Sequence, residues 1–227
     1  WVTGVQTCAL PILLYWDKIK RSFENFAPSK PKSGFKFWLN IAVSAVPAGV
    51  LGLKFHSKIN EKLFNPGSVT AALIVGAIWM IFAEKRYRGK FTTKDIDNVT
   101  IKQAFIIGCF QCLALWPGMS RSASTIIGAW IVGLSTVAAA EFSFFLALPV
   151  MAGVTYKSLK DINVFALGSM HIVGLTVGFI VSFIVALIVV DKFITFLEKK
   201  PMRVFAVYRI LLGIVLIILS LFNVISM

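Results

Sequence analysis

One charge stands in the middle of a long apolar window. It is Arg121, within LALWPGMSRSAST, Leu113 to Thr125, and no other residue between Gln103 and Ala140 is charged. Hydroxyls crowd around it at Ser120, Ser122, Ser124 and Thr125. An arginine at the centre of a membrane helix costs roughly 2.5 to 3.5 kcal/mol on translocon-based scales, so such a residue faces a cavity, a partner or a substrate. No carboxylate lies in the window to pair with it, and Glu141 is the nearest in the following segment. The guanidinium is a planar fork that matches phosphate oxygens two at a time. A helix beginning near Ser122 would aim its first amides at the same point. Together these groups read as a phosphate cradle set inside a membrane. The plainer alternative is a serine-rich broken helix whose arginine pairs with a distant carboxylate.

Such a cradle needs elements to hold it. Apolar spans are expected at Phe37–Phe55, Ser68–Ala83, Ala138–Tyr156, Met170–Val190 and Val204–Ile225. Each approaches the roughly 20 residues that a helix needs to cross a bilayer. Between the second and third spans lies Ile101–Leu134, interrupted at WPGMS. Pro117 removes a backbone donor there and Gly118 adds a flexible joint, so two half-helices meeting at a loop fit the segment better than one span.

Composition agrees with a membrane location. The chain is 58% hydrophobic with 20 Phe and only 15% charged, against roughly 25% charged residues in soluble domains. Its net charge of +13 does not imply nucleic acid, because Lys and Arg fall in short blocks between apolar spans instead of along one face. Trp16–Lys36 and Glu84–Lys102 carry six basic residues each and Asp191–Arg203 carries four; Lys54–Pro66 carries three and Lys157–Gly168 two. Sixteen against five is the bias that marks cytoplasmic loops. The pattern holds only if Ile101–Leu134 enters and leaves on the cytoplasmic side. The segment is therefore expected to be a re-entrant hairpin with PGMSRS at its tip, near mid-membrane.

The first residues, WVTGVQTCALPILLYW, have no initiator Met, basic n-region or small-residue cleavage site, and are not a signal peptide. Residues 1–12 are expected to be a non-native leader, and residues 13–227 a single membrane domain from which upstream sequence is missing. Cys109 and Cys112 lie in an apolar segment and Cys8 stands alone, so a packing role is expected and no disulfide framework. His56 and His171 sit at span ends without acidic neighbours and read as interfacial. Gly174 and Gly178 form a GxxxG spacing suited to helix packing, and Pro47–Gly52, PAGVLG, marks a kink or close contact.

The stretch GCFQCLALWPGMSRSASTIIG, Gly108–Gly128, followed by AAEFSFFLALPVM, Ala139–Met151, resembles the undecaprenyl-diphosphate phosphatases, the bacterial bacitracin-resistance phosphatases. The likeness continues through LNIAVSAVPAGVLGLKFH and covers nearly all of Leu13–Met227, with PGxSRSxxT as its specific core. The resemblance implies an all-α integral membrane protein. Its multi-span helical bundle would be built of inverted repeats, each with a re-entrant helix hairpin and with most of the first repeat's catalytic hairpin missing here. It implies hydrolysis of undecaprenyl diphosphate to undecaprenyl phosphate with a divalent cation, Mg or Ca, which recycles the carrier lipid of peptidoglycan synthesis. The implied location is the bacterial plasma membrane, with the site toward the outer face. The implied partners are a polyprenyl diphosphate lipid, the bilayer and, as an open alternative, a second copy of the chain; nucleic acid is not among them.

Carried over by motif position, Ser120 and Arg121 are the implied catalytic residues, and Ser120, Arg121, Ser122 and Thr125 the implied diphosphate-binding residues. Ala123 stands where the family has glycine, a departure that matters only if positive φ is needed there. The resemblance places glutamates, a serine and a histidine for metal binding and catalysis in an N-terminal motif with no counterpart in this sequence, so no nucleophile, general base or metal ligand is assigned. On that basis this piece alone is expected to be inactive. Three rivals remain at this level. A transporter or channel would also break its helices around a mid-membrane charge. A phosphatase of the phosphatidate type would carry a PSGH element, which is not present, and a histidine following the SR pair, where the first in this sequence is the distant His171. The chain could also be a structural or inactive piece.

Overall fold

A computed structural model describes residues 34–161 and 201–222, together with 19, 20, 22, 24, 173, 174, 176–185, 189, 192 and 196. The side chains at 56, 60, 154 and 157–161 are excluded. The leader expectation, His171 and the ends of the Met170–Val190 span lie outside this set, as does the His56 side chain. Within it the chain is helical. The helices are α1 (Gly34–Leu63), α2 (Pro66–Tyr87), α3 (Ile101–Gln111), α4 (Arg121–Ile131), α5 (Thr136–Asp161), α6 (Thr176–Val185) and α7 (Arg203–Leu221). Two 3-10 turns, Ile96–Asn98 and Cys112–Leu115, precede and follow α3.

Four of these helices, α1, α2, α5 and α7, are long and apolar enough to cross a membrane. They correspond to four of the five expected spans. Their exposed faces are greasy: Val204, Val207, Leu211, Val215 and Ile218 of α7 all point outward. The inward stripe of α7 is Ala206, Arg209 and Gly213, the three-and-four spacing of one helical face. α2 turns in Ala72, Gly76, Met80 and Ala83 by the same rule. Small residues let the two helices approach closely, as expected between membrane helices: a Cβ on Gly213 would come 2.8 Å from Ile74 Cγ1.

The segment between α2 and α5 is a hairpin of two short helices. Each of α3 and α4 has 11 residues, about 16 Å of helix, roughly half the thickness of a hydrocarbon core. Their outer ends are sewn together by one side chain. Gln103 completes a capping box with Thr100 at the start of α3, while its Nε2 donates to the Val132 carbonyl just past α4 at 2.9 Å. Thr92 and Thr93 amides donate to the Gly133 carbonyl, and Ser135 N to Thr93 O. Close packing fixes the rest of the pair. A Cβ at Gly128 would come 2.7 Å from Phe110 Cβ, and one at Gly108 would collide with the Ser44 carbonyl of α1. Gly76 and Gly213 pack closely in the same way, while a Cβ at Gly174 would meet nothing within 4 Å.

The basic loop Glu84–Lys102 and Arg203 lie at the hairpin's open end. At the end of α2, Glu84 pairs with Arg88 at 2.6 Å and accepts from the amides of Met202 and Arg203 at 2.7 and 3.0 Å. A carboxylate thus caps α7, where the helix dipole favours it. The hairpin's closed end lies at the opposite side. Trp116 Nε1 donates to Ser68 Oγ at 2.8 Å, and Gly118 rests against Val69 and Ala72. Val69 and Ala72 lie about 23 to 27 Å along α2 from Tyr87, at 1.5 Å per residue. The tip is thus displaced toward the Lys54–Pro66 end instead of sitting halfway along α2.

Candidate functional site

The tip is a tight turn followed by a helix start. Met119 N donates to Trp116 O at 3.0 Å, with Pro117 second and Gly118, at φ +97°, third. Proline presets the first of these positions and only glycine takes the other cheaply, which is the requirement of a type II turn. Gly118 is constrained twice over, since a Cβ would come 2.6 Å from Val69 O. The chain then enters α4 at Arg121, one residue ahead of the Ser122 start expected from sequence. Ser120 is its N-cap, in extended conformation, and its hydroxyl accepts from Ala123 N at 3.3 Å. The first bond of the helix closes at Ser124 N to Ser120 O, 2.9 Å. Helix geometry leaves the first-turn amides pointing out of the N-terminus, a ready anion site with a positive dipole end.

The five polar side chains of the motif divide into two layers. Ser120, Arg121 and Ser122 are half-buried at the mouth of the helix. Ser124 and Thr125 are fully enclosed behind it. Ser124 Oγ donates to Ser120 O at 2.9 Å. Thr125 Oγ1 lies 3.0 Å from Arg121 O, 3.1 Å from Ser122 O and 2.6 Å from Ser143 Oγ. A hydroxyl has one proton to give, so Thr125 donates back to its own helix or to Ser143 and accepts otherwise. Arg121 Nη1 donates to the Ser143 carbonyl at 3.3 Å. Ser143 of α5, 3% exposed, therefore holds both Arg121 and Thr125. Ala123 lies within α4 and is buried, so the position that departs from the family glycine needs no positive φ.

A model of the bacitracin resistance protein BacA family matches residues 4–215. The chain belongs to the BacA family. It is 98% identical over 216 residues to a protein of Clostridium novyi (strain NT) named undecaprenyl-diphosphatase, covering 95% of this chain and 76% of that relative. It is 55% identical to undecaprenyl-diphosphatase 2 of Clostridium acetobutylicum, with 95% and 77% covered. It is 48% identical to the undecaprenyl-diphosphatase of Clostridium tetani, with 95% and 79% covered. With four apolar helices long enough to cross a bilayer, this BacA-family chain is a multi-pass membrane protein.

Two residues at the site carried no expectation from sequence. Ser143 sits in a run of apolar residues, and its role depends on the crossing of α4 and α5, which no local pattern discloses. Arg209 is different. It is the one charge between Val204 and Leu221, and the reasoning that singled out Arg121 applies to it unchanged. It is 7% exposed, and its Nη2 donates to the Gly118 carbonyl at 2.7 Å and to Ala72 O at 3.2 Å. Among the described residues no three His, Cys, Asp or Glu side chains gather as a cation site, so these residues do not by themselves fit a bound divalent metal.

Proposed function

We infer that this chain is an undecaprenyl-diphosphate phosphatase, a hydrolase that converts undecaprenyl diphosphate to undecaprenyl phosphate and inorganic phosphate. Its product is the carrier lipid of peptidoglycan synthesis, and its activity gives bacitracin resistance. Family membership over residues 4–215, with a 98% identical relative of that name, carries the conclusion. Transport, the rival use of broken helices around a membrane charge, draws no support from relatives that are named as diphosphatases.

Overall, the bond from the terminal phosphorus to the bridging oxygen breaks, and the released phosphate gains an oxygen that comes from water, whose protons pass to the phosphate products and solvent. The lipid phosphate leaves with the bridging oxygen. Negative charge spreads over the transferred group's oxygens, so positioned cations and N–H donors do most of the catalytic work. Arg121 would clamp the diphosphate with its fork, while Ser120, Ser122 and the first amides of α4 would hold further oxygens. Thr125 belongs to the same binding group. Its buried bonds to Ser143 and to the Arg121 carbonyl place it where it stiffens the first turn from behind. No nucleophile or general base is assigned. A divalent cation, Mg or Ca, is retained as a proposed requirement, and no step above is routed through it.

The α3–α4 hairpin is read as re-entrant. Two observations support this: each helix is about half a membrane long, and its open end adjoins the basic loop Glu84–Lys102, which the positive-inside rule places in the cytoplasm. The tip's displacement along α2 favours a site reached from the outer face of the bacterial plasma membrane. An inverted-repeat architecture and association with a second copy complete the proposal.

The direct test is phosphate release from a polyprenyl diphosphate, with and without chelator. It would use membranes holding this chain and membranes holding the full-length Clostridium novyi relative. Chelator-sensitive release from the relative is expected. Absence of release, with ion-dependent flux across sealed vesicles, would turn the reading to transport.

A further inference from the structure

The second buried arginine has an expensive position and unusual partners. Arg209 lies on the inward stripe of α7, and the described residues place no carboxylate within salt-bridge distance of it. Its hydrogen bonds go to the carbonyls of Gly118 and Ala72 and to Met80 Sδ. Its Nε is buried and unpartnered. An apolar side chain would fill the same space without the cost of burying a charge. Packing alone therefore does not account for an arginine here.

What it touches does. Gly118 is the positive-φ residue of the tip turn, three positions before Arg121. Charge-assisted bonds are the strong ones, and this one fixes the carbonyl of the peptide that leads into Met119 and the Ser120 cap. The surroundings make room for it. A Cβ on Gly76 would lie 2.6 Å from Arg209 Nη2 and 2.6 Å from Met119 Sδ, so glycine at 76 lets the guanidinium and the tip lie against α2 together.

We propose that Arg209 is a positioning residue for the anion cradle: its bond to the Gly118 carbonyl sets the turn that aims the first amides of α4 and Arg121. Its charge also adds to the positive potential behind that helix start, where field lines are weakly screened. Arg209 does not touch substrate in this arrangement; it acts through Gly118.

The proposal rests on the phosphatase reading above, and the test separates the two. In the full-length Clostridium novyi relative, Arg209→Gln, Arg209→Lys and Gly76→Ala are made at the matching positions. Three quantities are compared with the parent: kcat and KM per folded enzyme, competition by inorganic pyrophosphate, and amide exchange over residues 116–123. Misaiming a catalytic group by about 1 Å costs on the order of 100-fold, so Arg209→Gln is expected to lose about that much in kcat. It should also bind pyrophosphate more weakly and exchange faster at the tip. Arg209→Lys should fall between, keeping the charge and losing the planar, fixed donor geometry of the guanidinium. Gly76→Ala should reproduce part of the loss, and adding it to Arg209→Gln should cost little more. Arg209→Gln that only unfolds more readily, keeping parental kcat, pyrophosphate competition and tip exchange when folded, would overturn the proposal. If the parent releases no phosphate, the phosphatase reading fails. Unchanged pyrophosphate binding and tip exchange in Arg209→Gln would then overturn this inference independently.

Discussion

At the scale of single residues, the site is a division of labour between groups that face the cradle and groups that hold them. Ser143 is of the second kind. Its carbonyl accepts from Arg121 and its hydroxyl pairs with Thr125 at 2.6 Å, so only the second of these bonds is lost on removing the hydroxyl. Ser143→Ala is expected to lower stability by about 1 kcal/mol, the worth of one buried hydrogen bond, with less than a tenfold change in kcat. Unfolding in detergent and phosphate release would be measured on the same preparation. A loss of activity as large as that of an Arg121 substitution would make the Ser143 hydroxyl a direct participant. The motif's backbone was legible in sequence: a proline-glycine break followed by serines specifies a turn and a helix start, and the anion it would hold belongs to the proposal. Sequence did not disclose that Ser124 and Thr125 spend their hydroxyls inside the helix, because burial depends on which face α5 covers.

At the scale of elements, four expected spans match helices, and the break at WPGMS is where the structure turns. Hydropathy and the backbone chemistry of proline and glycine are local, which is why they could be read. The pairings were not local. Glu84 looked like the first residue of a basic loop, yet it is 8% exposed and caps the start of α7 from 118 residues away. Gln103 carried no expectation from sequence, yet it joins the two ends of the hairpin. The GxxxG at Gly174 and Gly178 was readable as a packing surface, while the close crossings in the described helices use Gly108, Gly128, Gly76 and Gly213, which follow no such spacing. The Glu84 cap gives an element-level prediction. Glu84→Ala leaves two amides at the start of α7 without a partner and releases Arg88, and helix caps are worth roughly 0.5 to 2 kcal/mol. A lower melting temperature in detergent is expected, with Glu84→Gln intermediate. An unchanged melting temperature would mean that the α2–α7 junction is held by packing alone.

At the scale of the whole molecule, the arrangement brings a hairpin too short to cross a bilayer into a bundle of helices that are long enough. The hairpin's open end adjoins the basic loop Glu84–Lys102, and its tip lies toward the other end of α2. Its tip is gripped from two sides, by Ser143 of α5 and Arg209 of α7, so the cradle is built by elements distant in sequence. A site held this way is preorganised, and preorganised donors stabilise developing charge without reorganising during the reaction. The central claim is that Arg121 is the group for which this scaffold exists. The measurement that tests it most directly is phosphate release from a polyprenyl diphosphate by the full-length Clostridium novyi relative, with Arg121→Ala and Arg121→Lys at the matching position. Loss of one such stabilising group costs on the order of 100- to 1,000-fold in kcat, so Arg121→Ala is expected to fall at least that far. Arg121→Lys should recover only a part, because lysine keeps the charge and loses the fork. Folded Arg121→Ala that hydrolyses the lipid at close to the parental rate would contradict the claim.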